Sequence, residues 1–282
     1  MSIVHAVVLG ITQGLSEFLP ISSSGHLDLV PWLFGWDDLA GQPHLDKAFD
    51  VALHLGTFVG AAAYFREELV RYAVAAMRVL RRPGRGGAPG ADPDARMGGW
   101  LLVSAVPAAV VGATLESVIE EHTSAVGLIA VMLIAFGLVL LVADRLAGAR
   151  PFGSFRARDA VLMGTAQALA LQPGVSRSGI TISAARALGF DRDAAARLSF
   201  LMSLPIIFGA GVFEAADVAA AGGIPSHFVG PFVWGSVASA VTGFLAVGIV
   251  LRIVRTRSFA PFVVYRVLLG VGVLAVLATS WR

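Results

Sequence analysis

Six apolar segments, each about as long as a membrane-spanning helix, constrain this chain more than any other feature. A helix needs roughly 20 mostly apolar residues to cross a bilayer. Hydrophobic types make up 56% of the 282 residues and charged types only 14%, against about 25% charged in soluble domains. The sequence therefore predicts an all-α polytopic membrane protein with six transmembrane helices, and it excludes a disordered chain, a coiled coil and an ordinary soluble enzyme. The segments cover about 47–65, 97–116, 125–143, 197–215, 228–251 and 259–281.

The connections between these segments differ in the sign of their charge. Basic residues concentrate at 66–96, 145–158 and 252–257, whereas the other connections are acidic. Basic loops stay cytoplasmic, so the pattern indicates membrane topology and argues against a nucleic-acid partner for a chain of net charge +2. Within a single domain, 1–282, the Gly- and Pro-rich residues at about 83–96 are predicted to form a flexible cytoplasmic linker. Cysteine is absent, which excludes thiolate metal sites and cysteine nucleophiles.

Two further apolar stretches, 2–36 and 159–190, are each interrupted by a polar tip. The tips leave arms of about 10 to 18 residues, mostly too short to cross a bilayer. The sidedness of the flanking loops requires each stretch to enter and leave on one side, so both are predicted to be re-entrant helical hairpins. Irregular backbone at membrane depth is tolerated where it lines a protein cavity, so both tips are expected to line a site.

The two hairpins resemble one another at a fixed offset of 154 residues. Gly, Gln, Leu, Ser, Ser and Gly recur in the same order. Repeat halves at about 1–146 and 158–282 would each hold one hairpin and three spans, which is an inverted-topology repeat with its site where the broken helices meet. The alternative is a chance match in a Gly- and Ser-rich chain.

The first tip carries one carboxylate, several hydroxyls and an imidazole. Gln13 and Glu17 are four residues apart and share one helix face. An ionisable residue at membrane depth is a functional hypothesis by default, although Glu17 could instead pair with an arginine as a structural lock. Ser22 and Ser23 are candidate reactive hydroxyls or simply helix caps. His26 is within reach of Ser23, and its alternative role is that of a buried core residue.

The second tip has the composition of an anion-binding site. The hydroxyls of Ser176 and Ser178, the guanidinium of Arg177 and the backbone N–H groups around Gly174 stand at the start of a helix. Helix N-termini bind phosphate, and arginine binds it in a bidentate manner. The tips together therefore predict a phosphorylated, lipidic substrate.

Other polar residues are less decisive. Thr181 adds a hydroxyl in the first turn after the second tip, and Arg197 either reaches the same cavity or faces cytoplasmic headgroups. Arg266, inside the last span, must face protein and is expected to form a structural ion pair. The histidines outside the first tip, including His54, show no metal-ligand spacing. Because carboxylates are few, a divalent cation would be held partly by Glu17 and partly by substrate phosphates, as Mg²⁺ usually is.

The two tips resemble the signature motifs of undecaprenyl-diphosphate phosphatases, also called bacitracin-resistance proteins. These motifs are GLSEFLPISSSGH at 14–26 and QPGVSRSGITI at 172–182. The resemblance extends to 49–57, 195–205 and 259–270, and so to nearly the whole chain. The family's first motif carries Glu or Gln four residues before its glutamate, and this chain has the Gln form at Gln13.

The resemblance implies a bacterial inner-membrane enzyme that removes the terminal phosphate of undecaprenyl diphosphate. The reaction recycles the lipid carrier for peptidoglycan synthesis and confers bacitracin resistance. It also implies a divalent cation (Mg²⁺ or Ca²⁺) at Glu17 and Gln13, an active site open to the outer face and a possible homodimer. In the scheme we expect, Ser23 attacks the terminal phosphorus with His26 as base, or His26 activates water. The matching site residues are Glu17, Ser23, His26, Ser176, Arg177 and Thr181.

Two other functions were compared with this one. The phosphatidic-acid-phosphatase class needs a nucleophilic His six residues after its Arg and an upstream basic motif. Position 183 is Ser and no such motif precedes residues 24–26, so this class is excluded. A polyprenyl-phosphate transporter or flippase is the alternative, because inverted repeats with broken helices are transporter architecture.

Overall fold

The computed structural model describes residues 1–39, 41–81, 92–123, 125–220 and 222–279, and the side chains at 116–123 are not described. Within these ranges the chain forms eleven α-helices, two short 3₁₀ turns and one isolated backbone bridge between Arg150 and Phe190. The helices are α1 Ile3–Phe18, α2 Ser23–Phe34, α3 Pro43–Tyr64, α4 Arg66–Arg81, α5 Pro93–Thr123, α6 Val126–Arg145, α7 Ala157–Ala168, α8 Arg177–Ala187, α9 Arg192–Ala220, α10 Ser226–Val254 and α11 Ala260–Ala278.

Five helices, α5, α6, α9, α10 and α11, are long and apolar enough to cross a bilayer. They cover five of the six predicted segments to within one residue at each described end, and 280–281 lie outside the described residues. The sixth segment coincides with α3, which reaches the same standard only when joined to α4 across an 83° bend. Asp46, Lys47, Asp50 and His54 explain why α3 alone is too polar. The protein is thus an all-α, multi-pass membrane protein with five or six candidate spans.

The two interrupted stretches form pairs of short helices. α1 and α2 have 16 and 12 residues, and α7 and α8 have 12 and 11. At about 1.5 Å per residue these helices are some 16 to 24 Å long, shorter than the bilayer core of roughly 30 Å. The predicted breaks and arm lengths are therefore present at residues 19–22 and 169–176.

The two halves exchange packing partners. α1 packs on α10, and α7 correspondingly packs on α5, while α6 and α11 pack on each other. Glycines at equivalent positions allow the close approaches. A Cβ on Gly10 would lie 2.2 Å from the carbonyl oxygen of Gly235, and one on Gly164 would lie 2.3 Å from that of Ser104. The offset of 154 residues in the sequence is thus matched by equivalent packing.

The predicted linker at about 83–96 overlaps the start of α5. Its residues 83–91 lie outside the described residues. Pro93 begins α5, so residues 93–96 are helical and that end of the prediction is wrong. Asp92 explains the earlier start, because its carboxylate accepts hydrogen bonds from the backbone N–H groups of Asp94 and Ala95, as helix-capping residues do.

Ion pairs tie together loops that the charge pattern assigns to the same side. Asp144 at the end of α6 lies 2.5 Å from Arg192 at the start of α9. Arg255 and Asp193 are 2.9 Å apart. Lys47 lies 3.9 Å from Glu214, joining two connections assigned to the opposite side. None of these pairs joins loops of opposite assignment.

Candidate active site

The tips of the two hairpins meet through a serine hydroxyl. Ser22 Oγ accepts a hydrogen bond from the backbone N–H of Gly174 at 3.1 Å, across 152 positions of sequence. The same oxygen accepts from the N–H of Gly25 at 3.4 Å and so caps α2. The prediction that both tips line one site is therefore supported by a direct contact between them.

Ser22 and Ser176 occupy equivalent, strained positions. Their φ angles are +78° and +74°, a region that non-glycine residues seldom adopt. Ser176 Oγ accepts from the N–H of Gly179 at 3.1 Å and caps α8, as Ser22 caps α2. Strain of this kind persists only where the surrounding structure enforces it, and it concentrates at functional sites.

Arg266 joins both tips from α11. Its guanidinium donates to the carbonyl oxygens of Pro20 in the first tip and of Gly174 and Val175 in the second, at 3.2, 2.8 and 3.0 Å. Nε donates to the carbonyl of Leu133 at 3.0 Å. The expected ion pair is wrong: in the described part of the chain no carboxylate pairs with Arg266, whose guanidinium donates instead to backbone carbonyls of the two tips and of α6.

Glu17 lies at the centre of the tips, with only 4% of its surface exposed. Its Oε1 accepts from Arg177 Nη2 at 3.0 Å and from Nε at 3.3 Å. Its Oε2 accepts from Ser23 Oγ at 2.5 Å and from Gln13 Nε2 at 2.9 Å. His54 Nε2, on α3, lies 3.5 Å from the same oxygen. The carboxylate thus connects the first tip to the arginine of the second. The same arrangement fits both interpretations of Glu17, a structural pair with an arginine and a functional group of the site.

His26 lies in a separate hydrogen-bond chain. Its Nδ1 is 2.7 Å from the carbonyl oxygen of Ser22, and its Nε2 is 2.7 Å from the hydroxyl of Tyr265 on α11. The Ser23 hydroxyl donates to Glu17 instead. No hydrogen bond between Ser23 and His26 occurs among the described residues. The expected serine–histidine pair is not formed in this arrangement.

Most of the predicted phosphate-binding hydroxyls already have protein partners. Ser178 Oγ donates to the carbonyl of Leu19 at 3.0 Å, and Thr181 Oγ1 lies 2.7 Å from Ser199 Oγ. Both are buried, as are Ser22 and Ser176. Arg177 is the partly exposed member of the set, with 14% of its side chain accessible. The tips thus present fewer accessible polar groups than the sequence indicates, and Ser23 and Arg177 are the ones that remain.

Arg197 is not brought to the tips. Its Nη2 lies 2.6 Å from Glu68 on α4, and its guanidinium stands over the ring of Phe152. In this structure Arg197 is therefore paired within the protein and does not reach the tips.

The side chain of Gln13 indicates where a divalent cation could bind. It is fully buried, and its Oε1 has no hydrogen-bond partner, although its Nε2 bonds Glu17. An amide oxygen beside a carboxylate is a donor set that suits Mg²⁺ or Ca²⁺, so the residues present fit a divalent cation. Within the described residues no group of three His, Asp or Glu side chains is placed to hold a metal, so any further ligands would come from substrate and water.

An acidic cavity of about 530 Å³ lies beside the first hairpin. None of the tip residues lines it, but Asp50 does, and Asp50 is one turn before His54 on α3. The lining acids are Asp28, Asp37, Asp38, Asp46 and Asp50.

Sequence reasoning missed His54 and Tyr265 as neighbours of the site. Neither shows a spacing that links it to the tips, since both contacts depend on how α3 and α11 pack. The available signal was their position inside two of the shorter resembling segments, 49–57 and 259–270.

Comparison with known proteins identifies the family. Residues 6–272 match the family described as bacitracin resistance protein BacA. An undecaprenyl-diphosphatase from Nocardioides sp. is 46% identical over 277 residues, covering 98% of this chain and 97% of that protein. An undecaprenyl-diphosphatase from Geobacter sulfurreducens is 48% identical over 284 residues, covering 98% and 99% of the two chains. Because the match spans both hairpins and the helices that hold them, the chain belongs to the bacitracin resistance protein BacA family.

Proposed function

We propose that this chain is a membrane phosphatase that hydrolyses undecaprenyl diphosphate to undecaprenyl phosphate and inorganic phosphate. The observation that carries the proposal is the Glu17–Arg177 pair, which joins the two tips at 3.0 Å with a serine hydroxyl 2.5 Å from the same carboxylate. The relatives described above are named for this activity. The reaction would take place at a bacterial plasma membrane, in a site open to the outer face, and would return the lipid carrier to peptidoglycan synthesis.

Arg177 is the group that binds the terminal phosphate. It is the first residue of α8, where free backbone N–H groups and the helix dipole favour an anion. Its Nη1 is held by the carbonyl of Ser199 at 3.3 Å, so the guanidinium is oriented before substrate arrives. Such preorganised donors stabilise the charge that develops on a transferring phosphoryl group.

Ser23 is the proposed nucleophile, and Glu17 takes its proton. Attack of Ser23 Oγ on the terminal phosphorus forms a phosphoserine, breaks the bridging P–O bond and releases undecaprenyl phosphate as the leaving anion. Water then attacks the phosphorus of the phosphoserine and gives a proton to His26 Nε2. The bond between Ser23 Oγ and phosphorus breaks, inorganic phosphate leaves, Ser23 recovers its own proton from Glu17, and His26 returns its proton to solvent. The hydrogen bond from Ser23 to Glu17 favours this order over direct deprotonation of Ser23 by His26.

Gln13 and Glu17 are the residues that would hold a divalent cation. When bound, Mg²⁺ or Ca²⁺ supplies positive charge that neutralises the diphosphate oxygens. The unpartnered Gln13 Oε1 supports this assignment.

Phosphate release by purified protein in detergent tests the proposal. Undecaprenyl or farnesyl diphosphate is supplied with Mg²⁺, with Ca²⁺ or with EDTA, and Glu17→Gln and Arg177→Lys are compared with Arg197→Lys, an equivalent change away from the tips. We expect cation-dependent release, lost by at least a hundredfold in the first two variants and kept in the third. No release from folded wild type, together with lipid-phosphate movement across vesicles, would replace the phosphatase by a transporter.

The serine step has its own test. With radiolabelled terminal phosphate and rapid acid quenching, wild type should retain label on Ser23, and Ser23→Ala should lose both label and turnover. Turnover by Ser23→Ala at the wild-type rate would mean that water attacks directly.

A further inference from the structure

Tyr265 reaches the imidazole of His26 from α11, far away in sequence. Its hydroxyl lies 2.7 Å from His26 Nε2, and the two ring planes are within 11° of each other. Tyr265 is 44% exposed whereas His26 is buried. The tyrosine hydroxyl is therefore a polar partner for Nε2 of a buried imidazole.

The other ring nitrogen determines which way the protons point. His26 Nδ1 is 2.7 Å from the carbonyl oxygen of Ser22, and a carbonyl only accepts hydrogen bonds. Nδ1 must therefore carry a proton, and in the neutral ring Nε2 is then an acceptor. The Tyr265 hydroxyl must donate to Nε2, so both hydrogen bonds select one tautomer of His26.

The backbone and the neighbouring residue fix both ends of this chain of hydrogen bonds. Ser22 is held in its strained conformation by the N–H groups of Gly25 and Gly174. Arg266, next to Tyr265, is bound to carbonyls of both tips. The distance between α11 and the first tip, and with it the distance from Tyr265 to His26, is therefore set by the same interactions that assemble the site.

We propose that Tyr265 is a positioning residue for His26. It keeps Nε2 unprotonated, and its hydroxyl occupies the place that a water molecule takes when His26 accepts a proton. The effect of Tyr265 on catalysis rests on the proposed phosphatase function. The contact itself exists without substrate.

The variant Tyr265→Phe keeps the ring and removes the hydroxyl. If Tyr265 orients His26, kcat should fall about two- to tenfold, the size of one neutral hydrogen bond, with KM changed less than twofold because the hydroxyl does not hold the phosphate. Tyr64→Phe, the same change on α3 away from the tips, should leave both constants at the wild-type values. Equal kcat in Tyr265→Phe and wild type would overturn the proposal.

A spectroscopic measurement separates this inference from the proposed function. In protein labelled with ¹⁵N-histidine, the Nε2 resonance of His26, assigned by its absence in His26→Gln, should report an acceptor nitrogen and should shift in Tyr265→Phe but not in Tyr64→Phe. If the resonance shifts in Tyr265→Phe but wild type has no phosphatase activity, the proposed function is overturned and the hydrogen bond between Tyr265 and His26 is supported. An unchanged resonance in an active enzyme would overturn the contact and keep the function.

Discussion

Glu17 accepts hydrogen bonds on both carboxylate oxygens, from Arg177 on one and from Ser23 and Gln13 on the other. A buried carboxylate is costly unless it is paired and fully bonded. Its partners come from both hairpins, so the interactions that make Glu17 tolerable inside the protein also fix the serine and the arginine. Placement of one charge thus organises most of the reactive groups.

Gln13→Glu should tighten cation binding. A second carboxylate next to Glu17 would be repelled by it, and a divalent cation would relieve that repulsion. We expect the Mg²⁺ concentration for half-maximal phosphate release to fall about tenfold, corresponding to roughly 1.4 kcal/mol. Gln13→Met, which has no oxygen, should raise it. Identical metal dependence in the three proteins would mean that position 13 holds no cation.

Ser22→Ala should destabilise the protein more than Ser176→Ala. Both remove a helix cap worth about 1 kcal/mol. Only Ser22 also bonds the other hairpin, so its loss leaves the N–H of Gly174 buried without that partner, at a further cost of about 1–3 kcal/mol. Thermal unfolding in detergent measures the difference. Equal midpoints for the two variants would show that the contact between the tips contributes nothing to stability.

Among the elements, the first helix of each hairpin, α1 or α7, is held by close packing against a long helix of the opposite half. Their sequence predicted the breaks and the arm lengths, because proline, glycine and serine clusters interrupt apolar runs in a recognisable way. It did not predict that α1 would pack on α10, since helix pairing depends on contacts between residues more than 200 positions apart. His54 and Tyr265 were missed for the same reason, and Arg266 was given the wrong partner.

Gly10→Ala tests that close packing. The added Cβ would meet the carbonyl oxygen of Gly235 at 2.2 Å, closer than any real contact, so α1 and α10 would be forced apart. We expect a loss of several kcal/mol and reduced activity, because α1 carries Glu17. Gly272→Ala on α11 meets nothing within 4 Å and should be neutral or slightly stabilising. The test fails if both variants unfold at the wild-type temperature.

For the whole molecule, the decisive property is the sidedness of its loops. The absence of cysteine allows single cysteines to be introduced and labelled with a membrane-impermeant maleimide in intact cells. If both hairpins are re-entrant, Ser2→Cys and Asp37→Cys, which flank α1 and α2, should label from outside. Gly153→Cys, before α7, and Ala187→Cys, at the last residue of α8, should label only after the membrane is opened. If the two cysteines of one pair label from opposite sides of the membrane, the corresponding hairpin crosses the membrane and is not re-entrant.

The exchange of packing partners between the halves has a consequence for dividing the chain. α1 rests on α10 and α7 on α5, so a half produced alone would leave its first helix without the surface it packs against. Joining the halves in one polypeptide supplies each first helix with its partner, so Glu17 on α1 is always made together with the half that carries Arg177.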